Sequence, residues 1–267
     1  MDVTARMTRR RALGQHFLRD AAIARAIVDL VAPTPRDFVL EIGPGEGALT
    51  ADLARRAGSV TALEVDRALA SRLRERDMPG VDVVDADARM WEYGALVRPE
   101  GGRVLVVGNL PYSVGKPILE ALVRARTAID EMALMLQREV AERLAAPPGS
   151  KVYGSLSVLT QLYCDVRLAL RVPPRAFRPP PKVDSAVVHL RVLSEPRVAL
   201  RDEQRFHTIV RAAFAQRRKM LANTLAAGLA LPLETARESV ARAGIDPRRR
   251  AETLTIEEFA ALASQLV

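Results

Sequence analysis

Short apolar runs alternate with helical stretches through the first part of this chain, and that alternation limits the possible folds more than any other feature. Residues 38–42, Phe-Val-Leu-Glu-Ile, read as a buried strand, as do 60–65, 81–84, 104–107 and 132–136. Helical patterns such as 48–56 and 67–76 separate them. Strands separated by helices need crossover connections, which build a mostly parallel sheet. Two later runs, 166–172 and 183–193, alternate apolar and polar residues around the Pro-rich stretch 173–181. They are expected as an antiparallel pair at the sheet edge. Beyond Glu195-Pro196 only helical patterns remain. The last begins at Thr255-Ile256-Glu257-Glu258, where Thr255 caps and Glu258 reaches back. The expected division is an α/β domain over 1–196 and a small helical domain over 197–267.

With 49% hydrophobic residues among 267, a packed core is expected. Forty Lys and Arg against 32 Asp and Glu give a net charge of +8, which suits a polyanionic partner such as nucleic acid but also a merely solvated surface. The single cysteine, Cys164, excludes a disulfide framework and reads as a buried thiol. No apolar run is long enough to cross a membrane, and the Arg-rich start lacks the apolar stretch of a secretory signal. No interface signal stands out. A cytoplasmic monomer without membrane contacts is therefore expected. His189 and His207 stand apart with no metal-ligand spacing, so no metal is expected.

Glu41-Ile42-Gly43-Pro44-Gly45-Glu46-Gly47 follows the first strand and opens a helix. Glycines there permit a tight turn and close approach of a ligand, and the helix start offers free N–H groups. Glu64, 21 residues after Gly43 at the end of the next strand, can accept hydrogen bonds from both hydroxyls of a ribose. Asp87, after the following strand, can accept from an adenine amine. Gly43-x-Gly45-x-x-Ala48 also satisfies the dinucleotide fingerprint, so this motif alone leaves NAD open.

The fourth strand ends in Gly108-Asn109-Leu110-Pro111-Tyr112. Ligands bind at that edge of open α/β sheets. An exocyclic adenine amine is a poor nucleophile, because its lone pair is delocalised into the ring. Two acceptors on its two N–H groups would favour pyramidal geometry and aim the lone pair at an incoming methyl. The Asn109 side-chain oxygen can be one, and the Leu110 carbonyl, held by Pro111, the other. Tyr112 can stack on the base. Hydride transfer has no evident use for this run; an ordinary Pro turn is the plain alternative.

These motifs resemble the ribosomal RNA adenine dimethyltransferases, and in particular their small-subunit (kasugamycin-sensitivity) branch. The resemblance runs from Leu13-Gly14-Gln15-His16-Phe17-Leu18 through residues 41–50, 64–66 and 108–112, then 136–140, 153–158, 172–177 and 179–185, to Arg217-Arg218-Lys219 and Gly244-Ile245-Asp246-Pro247. It implies a Rossmann-like class I S-adenosylmethionine methyltransferase sheet with an antiparallel edge strand, S-adenosylmethionine as donor and S-adenosylhomocysteine as product. It implies dimethylation of two adjacent adenines near the 3′ end of 16S rRNA, in a partly assembled small ribosomal subunit. Carried onto matching positions, it places His16, Leu18, Gly43, Gly45, Glu64, Asp87 and Asn109 at the donor. The family often has Asn where this chain has His16, and Ser113-Val114-Gly115-Lys116 departs from its commoner run.

Basic residues gather outside the sheet. Arg6, Arg9, Arg10, Arg11, Arg19 and Arg25 face only Asp2 and Asp20 in residues 1–25. Arg217-Arg218-Lys219 and Arg248-Arg249-Arg250 form two further clusters, and Arg175, Arg178 and Lys182 surround Phe177, a candidate stacking platform at the reaction site. A lone cluster reads as a solvated face; four around one core favour RNA. Trp91 is expected beside the donor edge. The competing readings are a large-subunit methyltransferase of the antibiotic-resistance type, a ribosome-assembly factor that binds RNA, and an NAD-dependent oxidoreductase.

Overall fold

The structure, a computed structural model, describes residues 15–112 and 114–266. In chain order it contains β1 (Phe17–Leu18), α1 (Ala21–Val31), β2 (Phe38–Ile42), α2 (Thr50–Arg56), β3 (Ser59–Glu64), α3 (Arg67–Arg74), β4 (Val81–Asp85) and β5 (Val104–Asn109). Then come α4 (Gly115–Arg124), β6 (Glu131–Gln137), α5 (Arg138–Leu144), α6 (Ser155–Gln161), β7 (Cys164–Val172), β8 (Phe177–Arg178) and β9 (Ser185–Val192). Four helices follow: α7 (Glu203–Ala213), α8 (Leu221–Gly228), α9 (Leu233–Arg242) and α10 (Ile256–Gln265).

Seven strands form one sheet in the order β4-β3-β2-β5-β6-β9-β7. The first five are parallel, and β9 runs antiparallel to β6. This is the expected mostly parallel sheet, with β9 entering beside β6 and β7 outside it. Leu105, Val106 and Val107 of β5 are fully buried, since helices cover both faces of a parallel sheet. Asp20 caps α1 by accepting from the Ala22 and Ile23 N–H groups. The helix then lays Ile27, Val28 and Val31 on Val39, Leu105 and Met135. Burial of each such side chain stabilises by about 1.5–3 kcal/mol. Asp66 caps α3 in the same way, and its Ala70 and Leu73 pack on Ala62 and Val83.

The strand order reverses between β2 and β5, and a crevice opens at such a switch point beyond the carboxyl ends. Register sets Ile42 beside both Leu63 and Gly108. The glycine turn, Glu64 and Asn109 therefore leave the sheet at one edge. A second, two-stranded sheet pairs β1 with β8, Leu18 opposite Phe177. Sequence reasoning missed it, because two-residue strands carry no periodicity.

Among the described residues, those up to Ala141 with Arg167–Val192 form one compact unit; Glu142–Val166 with those from Leu193 onward form another. The segment 142–166, read from the sequence as part of the first domain, thus groups with the C-terminal helices. In that unit Phe214 sits 5.8 Å from Phe259 and 6.0 Å from Tyr153, centroid to centroid. Thr255 and Glu258 form the expected capping box at α10. The two histidines are not solitary. His189 bonds to Glu131 and lies 3.2 Å from an Arg167 guanidinium nitrogen, while His207 meets the Tyr163 hydroxyl at 2.9 Å. Cys164 is buried and forms no disulfide.

Candidate active site

A cavity of about 280 Å³ lies at the switch point and brings together His16, Gly43, Gly45, Glu64, Asp87 and the run Asn109–Tyr112. Gly43 and Gly45 have φ of +68° and +56°, which side-chain-bearing residues rarely adopt. A Cβ at Gly45 would also lie 2.9 Å from the Phe17 ring. The turn therefore needs glycine both for its backbone and for the close approach of β1.

Glu64 is 4% exposed. Its two oxygens accept from the Gly45 N–H at 3.0 Å and the Asp66 N–H at 2.9 Å. Burial raises its carboxyl above the ordinary range, and those backbone bonds oppose the rise. Each carboxylate oxygen has a second lone pair, so the group can hold the turn and still accept from two ligand hydroxyls. Asp87 already has one partner: Arg89 grips its carboxylate through the side chain at 2.5–3.0 Å and through the backbone N–H at 2.9 Å, which lowers its pKa. Arg89 lines the cavity too, and its only sequence signal is the Asp-x-Arg spacing.

At the other end, the Asn109 Nδ2 donates to the His16 carbonyl at 3.1 Å. The amide oxygen is then the side chain's remaining acceptor. His16 thus meets Asn109 through its backbone, while its ring meets the Pro179 carbonyl at 2.8 Å and lies 5.7 Å from the Tyr112 ring. The Tyr112 hydroxyl shares a 2.6 Å hydrogen bond with Ser185 Oγ, a partner no local pattern could reveal. The Leu110 side chain is buried and its N–H donates to the Met135 carbonyl, which fixes the turn before Pro111.

Three placements differ from the sequence reading. Phe177 is 4% exposed and belongs to the core cluster with Leu18, Ala24 and Ile27, so its ring is not offered as a stacking surface; pairing of β8 with β1 turns it inward. The Leu18 side chain is buried in that same cluster and does not line the donor cavity. Trp91 is half-buried and is not among the residues that line the cavity, while the buried Tyr93 donates to the Ala88 carbonyl at 2.6 Å. Arg9, Arg10 and Arg11 lie outside the described residues.

The remaining basic residues split into two groups. Arg217 pairs with Glu252 at 3.2 Å, Arg248 with Asp246 at 3.1 Å, and Arg249 with Glu258. Arg175, Arg178, Lys182, Arg218 and Lys219 are exposed and make no side-chain ion pair with the described residues. Glu41, at the base of the glycine turn, is 1% exposed, and neither carboxylate oxygen meets a hydrogen-bond partner among the described residues. It lines a small cavity of about 20 Å³ together with Gly43 and Asn109.

The parallel sheet with its antiparallel β9, the glycine turn and the strand-end carboxylate define a class I methyltransferase. The model of the ribosomal RNA adenine dimethylase family matches residues 6–266, and the chain belongs to that family of rRNA methyltransferases. The ribosomal RNA small subunit methyltransferase A of Geobacter metallireducens is 47% identical over 97% of this chain and 95% of its own length. A dimethyladenosine transferase from Plasmodium falciparum superimposes with a TM-score of 0.79 at 24% identity, covering 92% of this chain and 96% of that one. The 23S rRNA methyltransferase ErmE superimposes with a TM-score of 0.72 at 29% identity, over 94% and 99%. The fold is therefore shared with a dimethyladenosine transferase and with a 23S rRNA methyltransferase, while the higher identity lies with the small-subunit relative.

Proposed function

We propose that the chain dimethylates adenines of 16S rRNA at the exocyclic N6 amine, with S-adenosylmethionine as donor. The substrate in this reading is two adjacent adenines near the 3′ end of the small-subunit RNA, presented by a partly assembled subunit to a cytoplasmic, monomeric enzyme. One observation carries the chemistry: the Asn109 carboxamide is anchored through Nδ2 to the His16 backbone, which leaves Oδ1 to accept.

Glu64 would hold the ribose hydroxyls of the donor, with Gly43 and Gly45 providing room for its approach. Asp87, tethered by Arg89, would meet the adenine end. When bound, the donor supplies an electrophilic methyl on a sulfonium. The chain's own residues handle the acceptor amine. Asn109 Oδ1 and the Leu110 carbonyl accept its two N–H bonds and turn the lone pair out of the base plane. Tyr112, its hydroxyl pinned by Ser185, offers a ring face on which the base stacks. No strong base is needed, since the surplus proton leaves to water after transfer; positioning supplies much of the rate. The exposed Arg175, Arg178, Lys182, Arg218 and Lys219 would neutralise phosphates, while Arg217, Arg248 and Arg249 would have to exchange an internal carboxylate for one.

The test is incubation of the protein with labelled S-adenosylmethionine and undermethylated small subunits, followed by digestion of the RNA. Label in dimethyladenosine from small-subunit RNA is expected. A parallel reaction with large-subunit RNA separates the alternatives: label there and none in the small subunit would place the chain with the antibiotic-resistance type, and RNA binding without any label would make it an assembly factor.

A further inference from the structure

A second cavity, of about 330 Å³, lies on the other side of the glycine turn, with Gly45 in the wall of both. Its floor is apolar, built from Leu18, Ala24, Leu69 and Leu73, and its rim carries Arg19, Arg72 and Arg76 against Asp20 and Glu46. The two acids are already engaged. Asp20 caps α1 through the Ala22 and Ile23 N–H groups, and Glu46 pairs with Arg19 at 2.8 Å. Arg72 and Arg76 have no side-chain hydrogen bond or ion pair with any described residue.

The other arginines of this helical region behave differently. Arg67 pairs with Asp85 at 2.9 Å, and Arg74 donates to the Val83 carbonyl at 2.9 Å; both fasten α3 to β4. Arg72, in the last turn of α3, and Arg76, in the turn just after it, instead line the cavity. The Arg76 guanidinium also lies over the turn, since a Cβ on Gly47 would come within 2.8 Å of it. Two unopposed guanidinium groups at the mouth of a cavity that touches the reaction cavity form a fork suited to phosphate oxygens.

We propose that Arg72 and Arg76 form a phosphate-binding subsite for the RNA strand that carries the target adenine. The inference rests on the reading of rRNA as substrate and adds a contact outside both the donor site and the helical unit. A phosphodiester held here would register the strand against the glycine turn, so that the target base enters beside Asn109. Such contacts position a strand without reading its sequence.

The test measures binding of undermethylated small-subunit RNA from 50 to 300 mM KCl for the wild type, Arg72→Gln/Arg76→Gln and Arg72→Lys/Arg76→Lys. Donor affinity is measured by calorimetry on the same proteins. Each phosphate neutralised contributes about 0.7 to the log–log salt slope for a single strand. The Gln pair should therefore lower the slope by about 1.4 and weaken binding about 25-fold near 0.1 M salt. The Lys pair keeps the charges and should retain the slope, and donor affinity should be the same in all three. An unchanged slope in the Gln pair overturns the subsite. So does a loss of donor affinity with the slope intact, which would assign the arginines to the donor's carboxylate. A wild type with no salt-dependent RNA binding at all would instead remove the rRNA reading on which the subsite rests.

Discussion

Glu41→Gln should stabilise the folded protein at neutral pH, and the gain should vanish in acid. Glu41 sits on the central strand β2, is 1% exposed, and meets no hydrogen-bond partner among the described residues. Burial pushes its carboxyl from 4.5 up to about 7, and the Glu64 charge adds to the rise; the nearby Thr50 hydroxyl opposes it without closing a hydrogen bond. An acid whose folded pKa exceeds its unfolded pKa binds its proton more tightly in the native state. Below pH 4.5 both states hold the proton and nothing is lost. As pH rises toward 7 the unfolded chain releases it while the native state retains it, so stability falls through this window. The full difference is about 3 kcal/mol, reached above pH 7. Glutamine keeps the shape and carries no charge, so it removes that pH-dependent loss. The assay is denaturant unfolding of both proteins between pH 4.5 and 8. The diagnostic quantity is the pH slope of the difference, since any misfit of the amide in the cavity adds a constant offset. A difference that stays flat across this range refutes the claim that Glu41 is buried without partners.

Asn109→Ala should lower single-turnover methylation by a hundredfold or more, because a misplacement of about 1 Å alone costs that much, while RNA binding persists; Asn109→Asp should keep partial activity. A rate for Ala within a few-fold of wild type would reduce Asn109 to a turn former. Glu64→Gln should weaken S-adenosylmethionine binding by about 1.5–3 kcal/mol, read by calorimetry, as charge-assisted bonds to hydroxyls are lost. The change should be larger for Glu64→Ala, which also strips the acceptors from the Gly45 and Asp66 N–H groups. In the helical unit, Arg218→Ala should flatten the salt dependence of RNA binding more than Arg217→Ala does, because Glu252 already neutralises Arg217. Equal slopes for the two variants would show that the ion pair opens on binding.

Much of this architecture was legible in the sequence because it depends on neighbours in the chain. The apolar runs of β2 to β6, the glycine turn that needs positive φ, the strand-end Glu64 and the Asn-Leu-Pro-Tyr turn are all local. Each such residue type suits one backbone geometry, so the parallel sheet and the edge that carries the site follow from pattern alone. What surrounds them was decided by contacts between segments far apart. His16 reaches Asn109 only because β1 pairs with β8, two strands too short to announce themselves. That same pairing turns Phe177 into the core, although its Pro-rich, basic neighbourhood reads as a surface platform. Charge was the least legible property. Arg217 and Arg249 look free in the sequence and are paired in the fold, whereas Arg72 and Arg76 look ordinary and stand unopposed. A side chain's chemistry belongs to its residue, but its partner depends on which distant carboxylate the packed chain brings within a few ångströms, and only the tertiary structure decides that.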